Sequence, residues 1–504
     1  VRLVSCSSPT TIWSRARQTQ LSSARFCQAF VELVVRGELL ARAGKERLMM
    51  SESTRFAVRV LLMLVLLVPL LAACGAVEPS ASTPASSAAT ASASSAASST
   101  EPSGSVQASA SAPASASTQS SAAPSESAPA SAASSAQASA SGTADNPNIP
   151  QQLEYGAVTQ LYYTDAERVL TLAEFAGFDW IRQQVQWKDT ETADRNFGFD
   201  ELDRVVDMVA AKNKKLLLSV VKSPDWATGR PGDNGLPANP EDYGRFVREL
   251  ATRYKGKLQA IEVWNEQNYA TENGGQVTTE DAGRYVELLK VAYREIKAVD
   301  PTIVVVSGAL TSTGVTEVNT AVDDITYLKA MYDYNNGEIK NYMDAQGFHP
   351  ASALNPPEAL WPAEPGPGCR VTPLQWCDSP THYFRHIENV RNVMVEEGAG
   401  DKQIWITEMG WATENNSPGY EYGNQISFEQ QAEYLENALF WTLTHYQDFV
   451  GVAFIWNLNF AVTWGQAGNP LHEQASFGLL NPDWSPRPAF NSIQGFINAA
   501  RQQQ

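Results

Sequence analysis

Ile261-Glu262-Val263-Trp264-Asn265-Glu266-Gln267-Asn268 and Ile404-Trp405-Ile406-Thr407-Glu408-Met409-Gly410-Trp411 are short apolar runs, each ending on a glutamate. A near-continuous apolar run is the pattern of a parallel strand covered by helices on its outer face. A carboxylate at the end of such a strand serves no packing purpose and is costly to bury. Two of them, far apart in the chain, suggest two carboxylates converging on one site.

Working outward, similar apolar runs occur at Tyr155–Leu161, Trp180–Val185, Lys215–Val221, Leu258–Trp264, Ile303–Ser307, Met343–Phe348, Gln403–Thr407 and Gly451–Trp456. Helical patterns separate them. Thr164 with Glu167, and Ser427 with Gln430, have capping-box spacing. Gly177 and Asn213 fall where helices should stop. A last helical stretch begins near Pro488. Alternating strands and helices imply a parallel sheet with right-handed crossovers, and eight strands close a barrel. The expected fold is α/β, a (β/α)8 TIM barrel spanning residues 148–504. An open doubly wound sheet is the alternative, but no Gly-rich phosphate loop follows the first strand.

Upstream of the barrel the 504-residue chain changes character. Residues 1–48 precede a plausible start at Met49 or Met50 and read as a non-native or disordered extension. In residues 49–74, Arg55 and Arg59 lead into the apolar run Val60–Leu71, then Leu71-Ala72-Ala73-Cys74. This reads as a secretory signal, too short for a transmembrane helix. Leu-Ala-Ala-Cys resembles the bacterial lipobox, which implies a lipid on Cys74 and an exported cell-envelope lipoprotein. Residues 75–147 are almost wholly Ser, Ala, Pro, Thr and Gln, too polar to offset chain entropy, and read as disordered. Such a tether reaches roughly 45 Å. The membrane is then contacted through the anchor alone.

Of five cysteines, Cys6 and Cys27 lie in the extension and Cys74 is the lipid site. Cys369 and Cys377, in a Pro/Gly-rich loop, suggest a disulfide in an exported protein. Metal binding is the alternative, but no CxxC or HExxH pattern accompanies them, and neither metal nor cofactor is expected. A net charge of −18 argues against a nucleic-acid surface, which needs clustered Lys and Arg. A neutral sugar polymer and a monomeric state are compatible with it.

In a barrel of this type the chemistry lies at the C-terminal ends of the strands. There the sequence places Arg182, running on to Trp187; Ser223-Pro224-Asp225-Trp226-Ala227; Asn265 and Glu266; His349-Pro350; Glu408 with Trp411; and Trp456. Paired carboxylates on one rim are the working parts of glycoside hydrolysis. Partial burial near Trp264 should raise the pKa of Glu266. Trp226, Trp411 and Trp456 are candidate stacking faces for sugar. Glu262 reads as a structural carboxylate, and His382 and His386 as helix surface.

These residues resemble glycoside hydrolase clan A, the retaining β-glycosidases on a (β/α)8 barrel, with families 5 and 39 nearest. The resemblance rests on Asn265-Glu266 and Thr407-Glu408. Arg182 with Trp187 and Glu191, Pro224-Asp225-Trp226-Ala227, Trp456, Phe477-Gly478-Leu479-Leu480 and Ser485-Pro486-Arg487-Pro488-Ala489 support it. It implies Glu266 as general acid/base, Glu408 as nucleophile, Asn265 on the sugar 2-hydroxyl, Arg182 beside Glu408, where its charge should lower the pKa of that carboxyl, and Trp456 as the floor of the −1 subsite. His349 joins the substrate-binding set by its strand-end position. Two positions depart from the family pattern. Gln267 stands where many members have Pro, and Ala351 follows His349-Pro350 where many have Tyr. The expected function is a surface-tethered, endo-acting, retaining hydrolase of a β-linked poly- or oligosaccharide. An exo-β-xylosidase or β-glucosidase and a non-catalytic carbohydrate-binding barrel are the alternatives.

Overall fold

The structure, a computed structural model, describes residues 146–361 and 379–502. The N-terminal extension, the signal, Cys74, the linker to residue 145 and the Cys369/Cys377 pair lie outside the described residues.

Eight strands form the barrel: β1 (Glu154–Val158), β2 (Trp180–Gln186), β3 (Lys215–Val221), β4 (Ala260–Val263), β5 (Val304–Thr311), β6 (Ala345–His349), β7 (Gln403–Met409) and β8 (Val450–Ile455). Each pairs in parallel with its sequence neighbours, and β8 returns to β1, so the sheet closes. The eight expected strands are thus present, with ends moved by a few residues. The outer ring is α1 (Ala166–Ala176), α2 (Asp200–Ala211), α3 (Pro240–Arg253), α4 (Asp281–Val299), α5 (Asp324–Asp333), α6 (Ile387–Glu396), α7 (Phe428–Trp441) and α8 (Pro488–Arg501). No helix among the described residues is long and apolar enough to cross a membrane.

Local chemistry explains these helices. In α2 the buried Leu202, Val205, Val206 and Val209 recur at helical spacing, and Asp200, Glu201 and Asp203 sit in the first turn. That pattern gives one apolar stripe facing the sheet and acids against the positive end of the dipole. Ser427 and Gln430 form the expected capping box of α7. At α1 the cap moves by one residue: Asp165, not Thr164, accepts from the Arg168 N–H. Gly177 ends α1 at φ 91°, a left-handed conformation that favours glycine. His386, expected on a helix surface, is buried and lies 2.7 Å from Asp324.

The barrel interior is layered by the strand period of two. Trp180, Leu217, Ala260, Val304, Ala345, Trp405 and Val452 form an apolar plug with Phe454. Trp180 packs edge-on against Trp405 at 5.0 Å between ring centroids. Gly156 leaves the space that the Phe454 ring occupies. Two residues further along β2, β3, β4 and β7, the inward positions are Arg182, Ser219, Glu262 and Thr407, all fully buried. The polar layer therefore rests on an apolar floor, at the strand ends.

Candidate active site

Arg182 is the hub of that polar layer. Its Nε and Nη2 donate to Glu262 Oε2 at 2.9 and 2.7 Å. Nη2 also reaches Asn265 Oδ1 at 2.8 Å and Ser219 Oγ at 3.2 Å, and Nη1 donates to Glu408 Oε1 at 2.6 Å. Arg182 and Glu262 side chains are fully buried, whereas Glu408 keeps 16% exposure. Breaking a buried pair of this kind by removing one partner costs about 3 to 5 kcal/mol. Since Asn265 Oδ1 faces Arg182, the amide NH2 is turned the other way, as a donor.

Thr407 and Glu408 are adjacent, yet both turn inward. Strict alternation would send one outward. The register between β7 and β8 slips here: Ala453 pairs with Ile406, but Ile455 pairs with Met409. The extra residue is a bulge, a device that re-aims a side chain. At the end of β4, Trp264 and Glu266 have φ of 76° and 46°. Non-glycine residues rarely adopt this region, and such strain clusters at functional sites. Gln267, in the family's Pro position, is buried and its amide donates to Gly308 O at 2.8 Å, tying the loop to β5.

His349 joins the two carboxylates. Its Nδ1 is 2.9 Å from Glu266 Oε1 and 3.9 Å from Glu408 Oε2, and its Nε2 is 3.0 Å from Thr407 Oγ1. This changes the expected electrostatics. Burial pushes Glu408 up, and although His349 and Arg182 pull it back, its pKa stays above the ordinary glutamate value. Burial also acts on Glu266, but the hydrogen bond and charge of His349, with Thr311 and Arg182, bring it below. His349 itself is raised: the fields of Glu408 and Glu266 and its hydrogen bond to Glu266 outweigh its burial. His349 Nδ1 and Glu266 Oε1 are joined by one hydrogen bond, and the shifts of the two glutamates run opposite to expectation, because burial outweighs Arg182 at Glu408 while His349 outweighs burial at Glu266.

The aromatic residues separate into two groups. Trp456 lines, with Arg182, a cavity of about 530 Å³ that extends past Gln160, Gln184, Tyr162 and Trp464 to the exposed Tyr163. Trp411 is not available to a sugar: it is 1% exposed, its indole N–H donates to Asn355 O at 2.9 Å, and Phe384 and Tyr434 pack on it. Trp226 is half-buried, donates to Glu191 O at 3.1 Å and lies edge-on to Trp187 under Arg245. Trp187 in turn donates to Glu191 Oε2 at 2.7 Å. The Arg182–Trp187–Glu191 spacing is therefore half site and half packing.

Sequence reasoning left the missing strand-six tyrosine open. Tyr420, on the loop after β7, has a hydroxyl raised by burial, then by the fields of Glu266, Glu473, Tyr269 and Glu408. Its ring lies edge-on to Phe477 at 6.2 Å. Tyr420 therefore lies within the electrostatic reach of both carboxylates, on a different loop from the one expected, and no spacing rule signals it. Among the described residues no group of three or more His, Cys, Asp or Glu is arranged to hold a metal ion.

A family model described as cellulase (glycosyl hydrolase family 5) matches residues 145–447, which include Glu266 and Glu408. Among solved structures, a family 39 glycoside hydrolase from the gut symbiont Bacteroides cellulosilyticus WH2 is similar over 70% of this chain, with 19% identity and a TM-score of 0.51. The chain spans 64% of that enzyme's length. GH5_18 from Streptomyces cattleya, solved with GlcNAc, has 14% identity over 70% of this chain and 82% of its own, with a TM-score of 0.49. Xylanase 10B from Thermotoga maritima has 14% identity over 72% of this chain and 98% of its own, with a TM-score of 0.44. At such identities the likeness is one of fold. No curated protein matches the sequence.

Proposed function

The chain belongs to glycosyl hydrolase family 5, and we propose that its barrel cleaves a β-linked poly- or oligosaccharide with retention, by double displacement. The observation that carries this reading is the convergence of Glu266 and Glu408 on one ring nitrogen, His349 Nδ1, at 2.9 and 3.9 Å. The nearest oxygens of the two glutamates can be no farther apart than those distances together. That bound admits the roughly 5 to 5.5 Å of retention and barely reaches the roughly 6.5 to 9.5 Å of inversion.

In the first step a Glu408 oxygen attacks the anomeric carbon. The glycosidic C–O bond breaks, and Glu266 passes the proton it shares with His349 to the departing oxygen. Arg182 at 2.6 Å from Glu408 favours the ionised nucleophile that this step needs. In the second step water attacks the glycosyl ester, Glu266 accepts its proton, and Glu408 leaves as carboxylate. Asn265, oriented by Arg182, donates to the sugar beside the reacting carbon, and Trp456 supplies an apolar face below it.

The cavity lined by Arg182 and Trp456 adjoins the carboxylate pair through Arg182 without being lined by either glutamate, and it is the support for an endo action. Its volume of about 530 Å³ lies within the roughly 300 to 1,000 Å³ of sites for drug-sized ligands, and a single pyranose is smaller than those. Room for further sugars on that side suits cleavage inside a chain rather than release of a terminal monosaccharide. The lipobox-like Leu71-Ala72-Ala73-Cys74 and the polar stretch after it support a tethered, extracytoplasmic position.

The test is product analysis. Wild type, Glu266→Ala and Glu408→Ala are incubated with β-glucan, xylan, mannan and aryl β-glycosides while NMR follows the first anomer formed. Retention with loss of activity in both variants is expected. Inversion, or wild-type rates in either variant, refutes the mechanism. Monosaccharide as first product from polymer refutes the endo action.

A further inference from the structure

We propose that Thr407 and Glu262 are positioning residues for the acid/base: through them Arg182 fixes the hydrogen on His349 Nε2, so that Nδ1 faces Glu266 as the second seat of the catalytic proton. The inference rests on the reading of Glu266 as proton donor, and it follows from counting hydrogens along one chain. Glu262 Oε2 receives two donors from Arg182 at 2.9 and 2.7 Å. Its other oxygen, Oε1, lies 2.7 Å from Thr407 Oγ1. A carboxylate only accepts, so the single hydroxyl hydrogen of Thr407 points to Glu262. Thr407 Oγ1 is then an acceptor towards its other neighbour, His349 Nε2 at 3.0 Å, and Nε2 must carry hydrogen.

The consequence falls on the opposite face of the ring. A neutral imidazole with hydrogen on Nε2 presents a lone pair at Nδ1. Glu266 Oε1, 2.9 Å away, can meet that lone pair only with a proton between them. The proton rests on Nδ1 or on the carboxyl, and either form keeps it in the site. Without the relay the ring could turn Nδ1–H towards an unprotonated Glu266, and the pair would lose its proton at lower pH. Other charges also act on this pair. Glu408 stands 3.9 Å from Nδ1 and Arg182 bonds Glu408. Glu272, paired with Lys222 at 2.8 Å, acts on Glu266 from the loop after β4, and Tyr420 from the loop after β7. None of these touches Nε2, so the tautomer is set by Thr407.

The experiment reads the tautomer directly and needs no turnover. The full chain is labelled with 15N-histidine, and His349 is identified among five histidines by its absence in His349→Gln. Long-range 1H–15N correlation should show neutral His349 protonated on Nε2 in the wild type and in Thr407→Ser, and on Nδ1 in the near-isosteric Thr407→Val. On an aryl β-glycoside that the wild type hydrolyses, the basic limb of kcat/KM should move down by about one pH unit in Thr407→Val, a tenfold loss above it, while Thr407→Ser stays at the wild-type position. Nδ1–H in the wild type overturns the proposal. So does a Thr407→Val variant whose activity falls while tautomer and pH profile stay unchanged. A wild type that hydrolyses none of the substrates instead refutes the glycosidase reading, and the tautomer still decides the relay.

Discussion

Glu262→Gln removes one negative charge from a fully buried ion pair while leaving an oxygen for Arg182 to bond. The amide must turn that oxygen towards the guanidinium, which presents two donors at 2.9 and 2.7 Å. Removing a charge from such a pair costs about 3 to 5 kcal/mol, and the retained acceptor puts the expectation near about 3. A barrel of roughly 350 residues unfolds with about 0.7 kcal/mol/K, so Tm should fall by about 4 °C. The charge on Arg182 is then no longer divided. Two carboxylates on opposite edges of one guanidinium stand on the order of 6 Å apart, and at an effective dielectric constant of about 20 they repel by roughly 2 to 3 kcal/mol. Part of this is screened by the arginine between them, so about one pH unit should reach Glu408. Its pKa should fall, because Glu262 is one of the charges that raise it. The acidic limb of kcat/KM therefore moves to lower pH. Thermal unfolding by calorimetry and a pH series on an aryl β-glycoside measure both effects. A Tm within about 1 °C of wild type, or an acidic limb that moves up, would falsify the view of Arg182 as a charge shared between two carboxylates.

In the wild type, Glu408 must be ionised to attack and its pKa is raised, so kcat/KM should fall with decreasing pH through a value above the usual ~4.3 of glutamate; an acidic limb below that value contradicts the burial argument. Glu266→Ala should lose about 10²- to 10⁴-fold on substrates whose leaving group needs a proton and far less on 2,4-dinitrophenyl glycosides, so equal losses on both would remove Glu266 from the acid role. Trp411→Ala should destabilise the fold by about 3 to 5 kcal/mol with KM unchanged in the fraction still folded, whereas Trp456→Ala should raise KM; calorimetry and steady-state kinetics on the same samples separate the two. Arg487 is buried, bonds only carbonyls and an amide oxygen (Ser476 O at 3.1 Å, Gly478 O at 2.8 Å, Asn481 Oδ1 at 3.3 Å), and burial lowers its pKa to about 10. Arg487→Met should loosen the segment carrying Phe477, lowering Tm and the hydrogen-exchange protection of residues 476–481, and unchanged exchange there would show that the clasp is not structural.

The sequence by itself determined the barrel and the rim. Eight apolar runs at regular intervals, with Glu266 closing the fourth and Glu408 the seventh, are local patterns, and the strand-end rule converts them into a shared site. Arg182 as the partner of Glu408 came from the resemblance, and the closed sheet supplies the reason: Arg182 sits two residues beyond the buried Trp180 on an inward position. The parts that had to wait were non-local. Trp411 and Trp456 are chemically alike and both follow strands, and only the packing of Phe384 and Tyr434 shows that one is core while the other lines a cavity. Parity along β7 places either Thr407 or Glu408 inward, and the bulge against β8 that admits both depends on a neighbouring strand. Tyr420 feels the charge of both carboxylates from a loop whose path no spacing encodes. The directions of the two glutamate shifts depend on how each carboxyl is buried and on which ring nitrogen faces which oxygen. Those are distances across the barrel, and they exist only once the sheet has closed.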